Sequence, residues 1–212
     1  IKEADLMLLL ARELKDTLLR TGDYDVLLTR DADVFVSLED RVRLAHQRGA
    51  DVFISLHADA LAQGVAHGAR IFTLSDEASD AASAALAERH DRLDILSGID
   101  LNGADDVVTD VLLDLARLET APRARALAKS VLAGIENATV DLYKLPLQQA
   151  AFSVLKAADI PSILVEAGFL STDQDLDNLV DPLWRAGFIA GLRDGLAAWV
   201  ISDRAEAVLR RR

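Results

Sequence analysis

Three side chains that could do chemistry stand at the predicted borders of secondary structure elements. His57 directly follows the apolar run Asp51–Leu56, and Glu166 ends the run Ile160–Val165. Glu3 stands at the entry to the first helical pattern. In open α/β sheets, ligands bind beyond the carboxyl ends of the strands. We therefore expect the three side chains to converge on one point.

Their residue types fit a zinc hydrolase, because histidine nitrogen and carboxylate oxygen bind zinc and a second carboxylate can activate water. Each residue also has a structural interpretation. A lone histidine such as His57 is often a hydrogen-bonded core residue, and Glu3 alone would pass for a first-turn helix charge. Glu166 is the hardest to explain structurally. A buried carboxylate needs a partner, and the sequence supplies no obvious buried arginine or lysine.

Composition excludes several other classes of protein. The 212 residues include no cysteine, which rules out disulfides, thiolate catalysis and cysteine–zinc sites. A net charge of −12 argues against nucleic-acid binding. The longest apolar runs are far shorter than the roughly 20 residues of a membrane span. No Gly-x-Ser-x-Gly motif and no glycine-rich phosphate loop is present.

Helical and strand patterns alternate along the chain, which predicts a single three-layer α/β domain over residues 1–212. Its sheet should be mainly parallel, twisted and flanked by helices. The predicted strands are Tyr24–Thr29, Asp51–Leu56, Ala69–Leu74 and Ile160–Glu166. The predicted helices are Asp5–Arg20, a helix through Arg48 with Ser37 as its N-cap, Pro122–Asn137 and Pro182–Leu209.

The segment Asp76–Glu119 interrupts this alternation after the third predicted strand. It contains 12 acidic and three basic residues. Helical patterns flank a break at Ser97–Gly103, and the second of them covers Asp105–Leu118. One interpretation is a solvated helical hairpin lying over one face of the domain. The other is a regulatory insertion close to a cationic site.

Four short stretches, in this order and spacing, resemble the zinc-dependent N-acetylmuramoyl-L-alanine amidases that cut septal peptidoglycan in Gram-negative bacteria. The resemblance covers roughly residues 1–200. The stretches are Lys2–Leu6, Thr29–Asp31 followed by Ser37–Arg41, Ile54–Ala60 and Leu164–Ser171.

The resemblance implies that Glu3 and His57 bind Zn²⁺ and that Glu166 is the catalytic carboxylate. The family pattern has one more ligand, a histidine in a Gly-His-Gly-Gly turn after a first strand. We expect that strand and its histidine before Ile1, so residue 1 is interpreted as a boundary and not the native start. The resemblance also implies a periplasmic enzyme exported through an upstream signal.

For the insertion, the resemblance implies autoinhibition. In relatives, a helix after the third strand lies over the zinc, and a glutamate in an Ala-Glu-Arg-Glu-like run can cap the metal. Here the run is Ala87–His90, so the cap is Glu88 or His90. A LytM-type activator protein pulls the helix away in relatives. We expect it to bind an apolar stripe that includes Val111, Leu112 and Leu115, although that stripe could simply pack on the domain.

The leading hypothesis is therefore hydrolysis of the amide bond between N-acetylmuramic acid and the L-alanine of the stem peptide. This reaction would split septal peptidoglycan and separate daughter cells. The main alternative is a non-catalytic peptidoglycan-binding or regulatory module with an incomplete metal site. A third possibility is a carboxypeptidase-like zinc hydrolase, which shares the metal chemistry but not the flanking motifs.

Overall fold

Four strands form one mixed sheet in a computed structural model that describes residues 1–60, 66–96, 107–138 and 140–210. The order of the strands across the sheet is β1-β4-β2-β3. The outer pairs β1/β4 and β2/β3 are parallel, whereas the central pair β2/β4 is antiparallel. The strands are β1 (Phe53–Asp59), β2 (Ala69–Leu74), β3 (Leu142–Ala150) and β4 (Ser162–Phe169).

Six helices of the described part of the chain flank the sheet, which confirms the predicted α/β class. Among the described residues, no helix is both long and apolar enough to cross a lipid bilayer. The helices are α1 (Glu3–Leu19), α2 (Leu38–Gln47), α3 (Ala81–Leu96), α4 (Val107–Asn137), α5 (Asp173–Val180) and α6 (Pro182–Arg210).

The two faces of the sheet pack against different helices, because successive strand residues point to opposite faces. One face, with Ile71, Ile163 and Val165, joins α1, α4 and α6 in the larger apolar core. The opposite face, with Phe72 and Leu164, packs against α2, α3 and the residues after β3 in a smaller core. The candidate functional residues lie on this second face.

Helices α4 and α6 cross at glycines. A side-chain carbon at Gly134 would lie 2.2 Å from the carbonyl oxygen of Gly191, so only glycine permits this approach. The Ser130 hydroxyl donates to the carbonyl of Gly195 at 2.7 Å. The patterns predicted as separate helices before and after Pro122 form one helix. An interior proline costs about 3 kcal/mol, which the buried residues that follow it offset by packing on α6.

Other boundaries confirm or correct the sequence predictions. Ser37 is the N-cap of α2, since its hydroxyl accepts the Asp40 N–H at 3.0 Å. The strand predicted at Tyr24–Thr29 is wrong. This segment and β1 line the same groove of about 950 Å³ instead of pairing. Because Tyr24–Thr29 is not a strand, the inserted helices follow the second strand of the sheet and not the third. Strand β3, which comes after them, was not predicted. The predicted break at Ser97–Gly103 lies outside the described residues.

Candidate functional site

His57 and Glu166 occupy directly paired positions in the parallel strands β1 and β4. Their side chains therefore lie side by side on the face of the sheet that carries the smaller core. The pairing shifts by one residue between His57 and Asp59. This irregularity directs the Asp59 N–H at the Glu166 carboxylate, where it donates to Oε2 at 3.1 Å.

Glu3 reaches the same place from the first turn of α1. Its Oε1 lies 3.1 Å from His57 Nδ1 and accepts the Ala58 N–H at 3.1 Å. Burial disfavours the charged carboxylate, but the His57 ring and the Ala58 N–H outweigh this effect and hold the pKa of Glu3 below its usual value. The three residues that the sequence predicted to converge are thus brought together.

The pair Glu3 and His57 fits a zinc ion as two of its ligands. Zinc–donor bonds of about 2.0–2.1 Å in a tetrahedron place two donors roughly 3.3 Å apart. The observed separation of Glu3 Oε1 and His57 Nδ1 is 3.1 Å. Ser55 Oγ lies 3.0 Å from His57 Nε2. If a metal ion took the place of the proton between Nδ1 and Glu3, this hydroxyl could accept the Nε2–H and hold the ring in the metal-binding tautomer. Within the described residues, no cluster of three or more possible ligands is present.

Glu166 is completely buried. Burial raises its pKa to about 7, although His57 and Arg70 both favour the charged form. A carboxyl group that titrates near neutral pH is suited to accept and return a proton.

Arg70 is the site residue that the sequence analysis missed. It lies directly opposite Glu166 in the antiparallel pair β2/β4, and only 3% of its surface is exposed. The signal was present, because Arg70 is the one charged residue in the run Ala69–Leu74. Glu166 was chosen because a single charged residue in an apolar strand is unusual, and the same reasoning applies to Arg70. The expectation that Glu166 lacks a buried basic neighbour was therefore wrong.

The inserted helix α3 lies against this site. Arg89 forms an ion pair with the Asp59 carboxylate and donates to the Ala60 carbonyl. The His90 ring stands edge-on to the His57 ring, with 4.4 Å between centroids, and also contacts Phe152. Burial, reinforced by the nearby His57, lowers the pKa of His90 to about 3, so its ring is neutral at physiological pH.

The two candidate capping residues point in different directions. Glu88 is paired with Arg92 one turn along the helix, and 65% of its side chain is exposed. His90 is the one that lies beside the predicted ligand His57. The side chains of Val111, Leu112 and Leu115 lie outside the described part of the chain.

Comparisons with known proteins relate most of the chain to one family. A family model described as N-acetylmuramoyl-L-alanine amidase matches residues 1–198. N-acetylmuramoyl-L-alanine amidase AmiA of Escherichia coli (strain K12) is 34% identical over 199 residues, which are 93% of this chain and 68% of AmiA.

Two solved structures share the fold. The N-acetylmuramoyl-L-alanine amidase from Clostridium difficile 630 has a TM-score of 0.68 at 23% identity, covering 95% of this chain and 86% of its own. The CwlD amidase from Clostridioides difficile, in complex with the GerS lipoprotein, has a TM-score of 0.68 at 17% identity, covering 95% and 88%. At these identities, the similarity establishes the fold alone.

Proposed function

Since the chain belongs to the N-acetylmuramoyl-L-alanine amidase family, we propose that it is a zinc-dependent enzyme that cleaves peptidoglycan between N-acetylmuramic acid and the L-alanine of the stem peptide. The observation that carries this proposal is the meeting of Glu3, His57 and Glu166 at one place on the sheet. Two metal ligands beside a buried carboxylate match two parts of metal-assisted amide hydrolysis, a metal that activates water and a base that accepts the proton of that water.

Glu3 Oε1 and His57 Nδ1 would hold the metal. When bound, Zn²⁺ polarises the amide carbonyl and lowers the pKa of its water. Ser55 contacts the second ring nitrogen of His57, and the Ala58 N–H donates to Glu3 Oε1 itself, so both contacts restrict the orientation of the two ligands.

Glu166 is the general base and then the general acid. Its carboxylate takes a proton from the attacking water, whose oxygen forms the new bond to the carbonyl carbon. The same proton passes to the nitrogen of L-alanine as the carbon–nitrogen bond breaks, so a carboxylic acid and an amine leave. The Asp59 N–H holds Oε2 throughout, and a pKa near 7 allows both transfers.

Residues 76–119 form a regulatory insertion that keeps the enzyme off. Two contacts support this proposal: Arg89 of α3 pairs with Asp59, and His90 stands against His57. Glu166 has no exposed surface, so substrate cannot reach it in this arrangement. The geometry favours His90 over Glu88 as the capping residue, because Glu88 faces solvent.

Release from inhibition requires a partner. We assign this role to a LytM-type activator that binds the stripe with Val111, Leu112 and Leu115. The GerS complex of CwlD supports the idea that an amidase of this fold binds a protein partner. A substrate in the cell wall places the enzyme outside the cytoplasmic membrane. We propose a periplasmic location and a role in septal splitting and cell separation.

The activity is tested by digesting purified peptidoglycan with a variant that lacks residues 76–119, in which the proposed inhibition is removed, and identifying the products by mass spectrometry. We expect stem peptides that begin with a free L-alanine amine. His57→Ala should lose both this product and stoichiometric zinc in elemental analysis. His46→Ala is the matched control, because His46 pairs with Asp159 on the surface of α2. Binding to peptidoglycan without any released peptide would instead support the non-catalytic module.

The inhibition is tested by comparing His90→Ala with Glu88→Ala in the absence of an activator. We expect His90→Ala to raise the basal rate and Glu88→Ala to leave it unchanged. Removing residues 76–119 should raise it further. Leu112→Asp should keep the basal rate low and abolish the response to the activator. A deletion variant that is folded by circular dichroism, yet no more active than its parent, would contradict autoinhibition.

A further inference from the structure

Arg70 and Glu166 are two buried, oppositely charged side chains on the same face of the sheet. They are direct partners in the antiparallel pair β2/β4, and such partners point to the same side. Glu166 is fully buried and Arg70 is 3% exposed. His57, the partner of Glu166 on β1, completes a row of three polar side chains across neighbouring strands.

Each of the two side chains has one buried atom with no hydrogen-bond partner among the described residues: Nε of Arg70 and Oε1 of Glu166. Leaving either group ionised and alone in the interior costs several kcal/mol. The two atoms do not bond to each other, but they belong to opposite charges at directly paired positions, so the two groups attract each other across the buried space between them.

The remaining contacts of Arg70 hold it firmly in place. Its guanidinium carbon lies 4.8–5.2 Å from the ring centroids of Phe72, Tyr143 and Phe169. Its Nη1 donates to Gln148 Oε1 at 3.2 Å. Three aromatic rings and an amide restrict the guanidinium to one position, so that position is fixed before any substrate arrives.

We propose that Arg70 is a positioning residue for the catalytic carboxylate Glu166. No direct hydrogen bond joins the two side chains among the described residues, so the guanidinium acts on the Oε1 side through its charge, while the Asp59 N–H holds Oε2. Each carboxylate oxygen accepts at two lone-pair sites, so the Asp59 N–H leaves room for a proton in transit. The catalytic role of Glu166 rests on the proposed function, whereas the paired positions of Arg70 and Glu166 in the sheet do not depend on it.

The pairing is tested by a double-mutant cycle on chelator-treated protein with Arg70→Met, Glu166→Gln and the double variant. Arg70→Met should lower the folding equilibrium constant both in the parent and in Glu166→Gln. We expect the decrease to be about tenfold larger in the parent, which corresponds to about 1.4 kcal/mol of coupling. Strictly additive changes would overturn the proposal. If Arg70→Met does not fold, Arg70→Gln, which is polar but uncharged, enters the same cycle.

The positioning role is tested by steady-state kinetics on folded enzyme. We expect Arg70→Met to lower kcat roughly 10–100-fold with little change in KM, and Arg70→Lys to recover part of the loss because it keeps the charge. Arg185→Met is the matched control. Arg185 is equally buried but pairs with Glu13 away from the site, so its loss should lower stability and leave kcat unchanged.

The two proposals fail in different ways. Full activity of Glu166→Gln would remove the catalytic role of Glu166 while leaving the coupling cycle intact. An Arg70→Met enzyme with the parental kcat would overturn the positioning role even if Glu166 proves essential.

Discussion

Alternate side chains of β4 face two very different environments. Ile163 and Val165 are fully buried in the apolar core formed with α1, α4 and α6. Glu166, just as buried, stands on the opposite face between His57 and Arg70. One strand thus contributes to an apolar interior on one side and to a charged interior on the other.

The difference shows that one face of the sheet mainly stabilises the fold, whereas the other carries the candidate functional groups. Apolar burial contributes about 25 cal/mol for each Å² removed from water, so the α1/α4/α6 face supplies favourable folding energy. Buried charges on the other face cost free energy unless each is paired. Apolar burial on the first face can therefore offset the free-energy cost of the buried charges on the second. Substitutions on the first face should mainly lower stability, whereas substitutions on the second should mainly lower activity.

The largest effect is expected from Glu166→Gln. The amide has nearly the same shape but cannot accept a proton from water, so turnover should fall roughly 10³-fold or more. Release of labelled fragments from peptidoglycan measures the rate, and circular dichroism together with zinc content reports on the fold and the metal. Turnover near the parental rate would remove Glu166 from its assigned role.

On the apolar face, Phe188→Ala should lower stability and leave turnover unchanged. Phe188 is fully buried on α6 and stacks on Trp184, with ring centroids 5.2 Å apart. Its truncation should lower the free energy of unfolding by about 3–5 kcal/mol. Denaturant titration measures this loss, and the rate per folded molecule should not change. A selective loss of turnover would show that the two faces are not separable.

A smaller effect is expected where α4 and α6 cross. A side-chain carbon at Gly191 would lie 2.7 Å from the Gly134 carbonyl oxygen, so Gly191→Ala should cost about 1–3 kcal/mol. Gly187→Ala is the control on the same helix. Nothing lies within 4 Å of its side-chain position, so helix propensity should make it neutral or stabilising. Equal melting temperatures for the two variants would contradict the close crossing.

The smallest net effect concerns pH, because two groups of the charged face act in opposite directions. The raised pKa of Glu166 stabilises the fold below about 4.5, and this contribution is lost as pH rises to about 7. The lowered pKa of His90 stabilises the fold above about 6.5, and this contribution is lost as pH falls towards about 3.

Between about pH 4.5 and 6.5 the two slopes, each up to about 1.4 kcal/mol per pH unit, should largely cancel in the chelator-treated parent. Glu166→Gln should leave a stability that falls with acidification. His90→Asn should leave a stability that falls as pH rises. Denaturant midpoints across this range test the cancellation, and parallel curves for the two variants would refute it.

The meeting of His57 and Glu166 was predictable because each follows an apolar run in the sequence. Their placement at strand ends was wrong, because β1 continues to Asp59 and β4 to Phe169. Strand β2 was predicted with its observed bounds. Arg70 was missed because its charge lies within an apolar run and not directly after one. Its pairing with Glu166 depends on the antiparallel register of β2 and β4, which no local pattern encodes.

One strand was missed and another was wrongly predicted, both because strand formation depends on tertiary contacts. Strand β3 carries Pro146 and several polar residues, which disguise an edge strand that needs little burial. The apolar run Tyr24–Thr29 has the composition of a strand, yet Tyr24 and Val26 pack against the apolar core without a pairing neighbour in the described chain. Strand formation depends on a partner as much as on propensity.

The proline within α4 marks the point at which that helix is easiest to bend. From Thr120 onward the helix is fastened, by the Thr120 hydroxyl to the Ala158 carbonyl and by Arg123 to Asp203. Residues 107–119 continue the same helix for roughly 20 Å at 1.5 Å per residue, and Pro122 removes one backbone hydrogen bond close to these contacts. A small change in helix angle near Pro122 would therefore move the N-terminal end of α4 by several ångströms.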